Sequence, residues 1–380
     1  MTNIQTLNKI AACGLAQFPA GYNCGDAVEA PAAILVRSAS LHETPLDPAT
    51  LAIARAGAGV NNIPIEACTA QGVCVFNTPG ANANAVKELV VAGLFLASRK
   101  IDAAMVWCRG LKGEGENVGK LVEKGKSAFT GPEILGKTLG VIGLGAIGRL
   151  VANAAAELGM RVIGVDPYLT ETGKAELCAG ITVLEDAAAL IAKSDYISLH
   201  LPLAKETKGY INAQSLAAAK EGLRLLNFSR AELVDSASLL AALESGRVAA
   251  YVTDFPRDEL IGVPGVTAIP HLGASTPESE DNCAVMAVRQ LTAYLERGEI
   301  KNSVNLPSTE LPASFQTRVT VIHKAEEGLP EAILSALKQT PVAFVTKATQ
   351  GVAYTVADTA GAVDAPAIAA LEGVLRVRVI

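Results

Sequence analysis

The chain of 380 residues has few aromatic side chains: Phe, Tyr and Trp make up 4%, with a single Trp. Histidine occurs four times, as His42, His200, His271 and His323. So few imidazoles restrict where a side chain can exchange a proton near neutral pH. No Cys-x-x-Cys pair occurs. The seven cysteines (Cys13, Cys24, Cys68, Cys74, Cys108, Cys178 and Cys283) are odd in number and scattered. Neither a disulfide framework nor a metal site is expected, and the thiols read as reduced ones of a cytoplasmic protein. Positive charge is not in excess. The net charge of −6 argues against nucleic acid or an anionic membrane as the main partner. The longest apolar run, Leu89 to Ala97, is too short to span a bilayer. Residues 1–18 hold no basic stretch ahead of an apolar core, so no signal peptide is expected. Low-complexity segments are absent.

What is present is aliphatic and rich in glycine: half the residues are hydrophobic and 34 are Gly. This composition suits α/β layers with buried parallel strands, and the length suggests two to three domains. Ala33–Val36 and Val73–Phe76 have the length and apolarity of strands. The second is stopped by the turn signal Asn77-Thr78-Pro79-Gly80. Val86 to Arg99 reads as a buried helix, and residues 112–137 as an exposed connection. From Thr138 onward strand-like runs recur at Arg161–Val165, Tyr196–Leu199, Leu223–Asn227 and Ala249–Thr253, separated by helix-length segments. Such a βαβ series implies a doubly wound parallel sheet of Rossmann type. A helix is expected over 277–297 and a linker at 303–307. The tail reads strand (318–323), helix (330–339), strand (342–347), strand (352–358), helix (365–371), strand (374–380). That order is a ferredoxin-like βαββαβ unit.

Gly143-Leu144-Gly145-Ala146-Ile147-Gly148 follows an expected strand and opens an expected helix. The first Gly permits the tight turn, the second lets backbone approach a pyrophosphate, and the third allows close packing of helix on strand. Asp166 ends the next strand, where a carboxylate accepts from the adenine ribose and repels a 2′-phosphate. NAD is therefore expected over NADP. His271 lies in Pro270-His271-Leu272-Gly273-Ala274-Ser275-Thr276, just past a strand. Arg230, in Asn227-Phe228-Ser229-Arg230, also follows a strand, and Asp254 and Glu259 follow the next one. A hydride leaves a hydroxyl-bearing carbon only as the hydroxyl loses its proton, which calls for a base near neutrality. A guanidinium grips a planar carboxylate at two points.

These elements, in this order, resemble the D-2-hydroxyacid dehydrogenase family. The resemblance covers about residues 30 to 380. It departs at Ala231, where the family has Gly after the Arg, and at Leu260, where Pro follows the Glu. The stretch from Glu259 to His271 is also short. The resemblance implies that Arg230 binds the substrate carboxylate and carbonyl, that Glu259 (or Asp258) orients His271, and that His271 exchanges the proton. The implied NAD-binding set is Gly143, Gly145, Ala146, Ile147, Gly148, Asp166, His200, Pro202, Ser229, Asp254 and Gly273. Loops at 36–38, 55–63 and 77–82 resemble the branch of the family with a phosphorylated substrate. There Ala58 and Gly59 meet the carboxylate through their backbone, while Arg37, Arg55, Asn82 and Lys87 are candidate phosphate ligands.

The implied architecture is a discontinuous, flavodoxin-like substrate domain (1–95 and 278–306), a Rossmann NAD domain (96–277) and an ACT-like tail (314–380). The implied reaction is oxidation of a small phosphorylated 2-hydroxy acid, 3-phospho-D-glycerate, to 3-phosphohydroxypyruvate with NAD, on the way to L-serine, in a homodimer or homotetramer. A glyoxylate/hydroxypyruvate reductase is the alternative enzyme, and an NAD-sensing co-repressor the alternative of another class. In ACT serine sites an Asn follows His-Lys; here Ala325 stands after His323-Lys324, with Glu326 and Glu327 beyond. Serine is thus expected to inhibit weakly or not at all.

Overall fold

The computed structural model describes residues 1–312 and 315–380. The start expected for the tail, Ser314, lies outside them. The chain forms two compact units, one of residues 1–82 and 276–380, the other of residues 83–275.

In the first unit, strands β1 (Thr2–Leu7), β2 (Tyr22–Gly25), β3 (Ala33–Val36), β4 (Ala52–Arg55) and β5 (Cys74–Phe76) form a parallel sheet in the order β2-β1-β3-β4-β5. This is the flavodoxin-like order. All four residues of β3 are buried, as expected for a strand covered on both faces. The link from β1 to β2 holds only a four-residue helix, Ala12–Leu15. It approaches the helix Pro277–Arg297 so closely that a Cβ on Gly14 would lie 2.5 Å from that of Ala284. The longer helix is well specified. Thr276 caps it by accepting from the Ser279 N–H, Pro277 opens it, Glu278 and Glu280 complement its first turn, and Gly298 ends it at φ 65°.

The tail belongs to this unit. Strands β13 (Thr317–Lys324), β14 (Ala343–Thr349), β15 (Val352–Thr359) and β16 (Val374–Val379) form an antiparallel sheet in the order β14-β15-β13-β16. Helices Leu329–Ala336 and Ala365–Ala369 complete the βαββαβ order. Ile322, Val352, Tyr354 and Val356 share one hydrophobic core with Phe76, Ala287, Leu291 and Tyr294.

The second unit is built on seven parallel strands: β6 (Thr138–Ile142), β7 (Arg161–Val165), β8 (Thr182–Val183), β9 (Tyr196–Leu199), β10 (Leu223–Asn227), β11 (Val248–Thr253) and β12 (Val266–Ala268). Their order is β12-β11-β10-β9-β6-β7-β8. From β6 the chain winds one way to β7 and β8, then returns to β9 and winds the other way. A doubly wound sheet opens its crevice at that switch point, outside the carboxyl ends of the strands. Helix Ala83–Arg99 buries Val86, Val90, Leu94 and Ala97 in this unit. Residues 112–137, expected as an exposed connection, hold a helix, Val118–Gly125, flanked by single turns, with none of its residues buried. Among the described residues no helix is long and apolar enough to cross a membrane. Nor could any group of three or more His, Cys, Asp or Glu hold a metal ion.

Candidate active site

The glycine loop after β6 is shaped by contacts that only glycine permits. Gly143 has φ 92°, and a Cβ there would lie 2.5 Å from the His200 carbonyl oxygen. A Cβ on Gly148 would lie 1.9 Å from the Gly143 carbonyl oxygen, whereas one on Gly145 would meet nothing within 4 Å. Gly145 is thus the open face of the loop. It caps helix Ala146–Glu157, whose N-terminus has no side-chain cap, so free N–H groups and the positive end of the helix dipole point at the place where a pyrophosphate lies. Ala146 and Ile147 begin that helix. Asp166 ends its strand with Oδ2 accepting from the Leu144 N–H (2.8 Å) and Oδ1 from the Tyr168 N–H (2.9 Å). Each oxygen keeps a lone pair for a ribose hydroxyl.

At the carboxyl end of β9, His200 pairs through Nε2 with Ser198 Oγ at 2.8 Å. Burial lowers its pKa to about 4, so the imidazole is neutral wherever the protein is folded near neutral pH. Pro202 follows it, exposed. Ser229 Oγ donates to the Leu199 carbonyl (2.7 Å), tying the β10 loop to the β9 end. Asn227 is buried and donates to the Arg230 carbonyl (2.8 Å) and toward Tyr251 Oη (3.2 Å).

Asp254, at the end of β11, is fully buried. Its Oδ2 accepts from the Gly273 N–H at 3.1 Å, and its Oδ1 has no hydrogen-bond partner among the described residues. A buried acceptor without a donor is costly; the carboxamide N–H of a nicotinamide would satisfy it. Burial raises the pKa of Asp254, and the charge of His271 opposes that shift. Phe255 gathers the other two candidates. Its ring lies 4.5 Å from that of His271, and Arg230 Cζ stands 5.9 Å from its centroid. Both His271 and Arg230 are exposed.

Among the described residues no hydrogen bond or ion pair joins Glu259 to His271. Glu259 lies in the single turn Asp258–Leu260, where the buried Leu260 anchors the turn to the core and leaves the neighbouring side chain outward. The Glu259 carboxylate faces Arg257 (3.9 Å) and the Ser236 hydroxyl, and these contacts, its own backbone N–H first, hold its pKa low. Phe255 is a site residue without an expectation from the sequence; an aromatic directly after the strand-end Asp254 is the signal that marks it.

In the first unit Arg37 and Arg55 follow or end β3 and β4, at the carboxyl edge of the sheet. Arg55 Nε donates to the Arg37 carbonyl at 2.9 Å. Arg37 Nη2 donates to Glu280 Oε1 at 2.6 Å. Both guanidinium charges reach the Cys283 thiol, where they oppose the rise in pKa that burial causes. The Ala58–Val60 loop is pinned by Asn77, whose Nδ2 donates to the Ala58 carbonyl (2.6 Å). None of the hydrogen bonds of the described residues uses the N–H of Ala58, Gly59 or Val60. Asn82 has a buried Oδ1 without a partner among the described residues. Lys87 belongs to the second unit, half-buried on helix Ala83–Arg99, with Nζ 3.7 Å from Glu88. His42 bonds the Asn61 carbonyl (2.9 Å), and His323 is buried between the Lys324 carbonyl and Thr355 Oγ1; both are structural.

Residues 91–273 match the family described as D-isomer specific 2-hydroxyacid dehydrogenase, NAD binding domain. Over these residues the chain belongs to the D-2-hydroxyacid dehydrogenase family, as its NAD-binding domain. Its cofactor is NAD. The D-3-phosphoglycerate dehydrogenase of Mycobacterium tuberculosis is 37% identical over 286 residues, 72% of this chain and 51% of that protein. That of Mycobacterium leprae is 34% identical over 377 residues, 90% of this chain and 66% of the relative. The chain spans about half the length of the first curated relatives that it matches. Among solved structures, the NAD-bound 3-phosphoglycerate dehydrogenase of Entamoeba histolytica is 26% identical with a TM-score of 0.62, covering 80% of this chain and 98% of that one. A glyoxylate reductase from Paecilomyes thermophila is 25% identical with a TM-score of 0.66, again over 80% of this chain and 98% of the other.

Proposed function

We propose that this D-2-hydroxyacid dehydrogenase oxidises 3-phospho-D-glycerate to 3-phosphohydroxypyruvate with NAD, as the name of its curated relatives suggests. The observation that supports this substrate most is the edge of the first sheet. Two guanidiniums, Arg37 and Arg55, stand beside a loop whose backbone N–H groups at Ala58, Gly59 and Val60 have no acceptor among the described residues. A substrate with a carboxylate at one end and a phosphate at the other uses both.

In this reading the N–H groups of Ala58–Val60 take the carboxylate, and Arg37 and Arg55, with Asn82 and Lys87, take the phosphate. Arg230 grips the carboxylate and the C2 oxygen, and its contact with Phe255 restricts where the guanidinium can reach. The C2 hydroxyl gives its proton to His271 as the C2 hydride departs. Bound NAD supplies the hydride acceptor. Asp254 interacts with the charge of His271, and its free Oδ1 holds the carboxamide. Glu259 would take over the His271 partnership only by leaving Arg257.

The tail we read as an ACT-like domain retained for assembly and stability. We further infer a homo-oligomer, because helix Ile101–Arg109 leaves Met105 and Val106 more than half exposed, an apolar face that a second copy would cover. Steady-state rates with 3-phosphoglycerate, glycerate and D-lactate, each with NAD and with NADP, test the substrate. Preference for 3-phosphoglycerate with NAD supports the reading. Equal turnover of unphosphorylated substrates would replace it with a glyoxylate/hydroxypyruvate reductase activity.

A further inference from the structure

Glu280 takes no part in the chemistry just described, yet among the described residues it makes the one ion pair of Arg37. The pair closes at 2.6 Å between Nη2 and Oε1, with both side chains about two-fifths exposed. Their sequence separation is wide: Arg37 follows β3, and Glu280 lies in the first turn of helix Pro277–Arg297. Thr276 already caps the Ser279 N–H and Glu278 lies in the same turn, so the needs of the helix terminus alone do not explain why Glu280 reaches across to Arg37. Cys283, one turn further along, feels both Arg37 and Arg55, so this side of the helix faces the two guanidiniums at Glu280 and at Cys283.

We propose that Glu280 sets the specificity of the Arg37 subsite by acting as an internal anion that the substrate's phosphate must displace. The proposal rests on Arg37 being a phosphate ligand. A guanidinium already paired with a carboxylate gives little to a ligand that offers no better anion. A phosphate dianion, with more charge and three acceptor oxygens, competes for it. Glu280 therefore keeps the guanidinium directed toward the subsite and at the same time lowers the affinity for every anion that enters it. Inorganic phosphate, which has no carboxylate for the Ala58–Val60 loop, is excluded first, while the substrate holds on through its other contacts. Since both side chains are exposed, the effect is modest: an exposed pair is worth up to about fivefold in an equilibrium constant.

The test compares Glu280→Gln, Glu280→Asp, Arg37→Ala and the double variant Glu280→Gln/Arg37→Ala in the full chain. KM is measured for 3-phosphoglycerate and for glycerate, and the inhibition constant for inorganic phosphate. Glu280→Gln should lower the KM for 3-phosphoglycerate and the inhibition constant for phosphate by about three- to fivefold, raising the ratio of the glycerate KM to the 3-phosphoglycerate KM by the same factor. Glu280→Asp, which keeps the charge, should move that ratio less. Arg37→Ala should raise the 3-phosphoglycerate KM selectively, and in its background Glu280→Gln should have no further effect. If Arg37→Ala is selective but Glu280→Gln leaves the ratio unmoved or reverses it, the inference about Glu280 is wrong and the substrate reading stands. If Arg37→Ala raises both KM values equally, Arg37 is no phosphate ligand and both fall together. Melting temperatures separate any loss of folding from these outcomes.

Discussion

At the scale of single residues, His271 and His200 illustrate how environment divides the work of two imidazoles. His271 is exposed on a loop beside Phe255 and close enough to Asp254 to feel its charge, which is what a proton-exchanging group needs. His271→Ala should reduce kcat by roughly 10²–10⁴ with NAD still bound, since positioned proton transfer is typically worth that much; stopped-flow turnover together with an NAD titration reads both. His200 is half-buried and held neutral, desolvation lowering its pKa to about 4. The unfolded chain has an ordinary histidine near 6.5 and so takes up a proton that the folded protein refuses. The stability that neutral His200 contributes is present above about pH 6.5 and is lost as the pH falls toward 4. Melting temperatures of the wild type and His200→Gln across this range should therefore converge toward acid. His323 shifts in the same direction, so only the difference between the two curves belongs to His200. Parallel curves would mean that His200 is solvated.

At the scale of elements, the loop from β6 into helix Ala146–Glu157 is the most exacting, because a single methyl group decides it. Gly148→Ala would place a Cβ 1.9 Å from the Gly143 carbonyl, so the helix must back away from the strand. Overpacking of this kind costs about 1–3 kcal/mol, and displacing the N–H groups of the helix N-terminus should weaken NAD at least tenfold by calorimetry. Unchanged NAD affinity would show that the pyrophosphate does not use this loop. Elements of this sort were readable from the sequence: a β-branched run, glycines at fixed steps and a helical pattern reinforce one another. Arg230, Asp254 and His271 were readable for the same reason, each standing just past such a run. The start of the chain was not. β1 reads Thr-Asn-Ile-Gln-Thr-Leu, with only Ile4 fully buried, and its crossover helix is four residues long, so neither periodicity accumulates. β4, Ala-Ile-Ala-Arg, carries too little β-branched character to stand out. The orientation of Glu259 was hidden too, because it depends on Leu260 being drawn into the core, a tertiary preference that spacing does not encode.

At the scale of the molecule, the tail is less an appendage than part of the first unit's interior. Arg318 is fully buried and donates to both oxygens of Asp358 (2.6 and 2.8 Å), to the Arg297 carbonyl (2.9 Å) and to the Pro312 carbonyl (2.7 Å). Tyr354 Oη donates to the Gly298 carbonyl at 2.8 Å. Arg378 reaches the Tyr294 and Leu295 carbonyls, and Arg376 those of Thr50 and Gln71. The carbonyls at the end of helix Pro277–Arg297 are thus satisfied by side chains of the tail, and cations there also suit the negative end of the helix. Two expectations follow. Arg318→Ala leaves Asp358 buried without its counter-charge and should destabilise the first unit by about 3–5 kcal/mol, whereas Arg318→Met with Asp358→Leu, which removes both charges, should recover most of that loss. A chain ending at Pro312 exposes Phe76, Tyr294 and Leu291 where Tyr354 and Val356 had covered them, and should aggregate or melt at least ten degrees lower in a thermal scan. Were the truncated chain as stable as the full one, the shared core would be incidental and the tail would have to be kept for sensing alone.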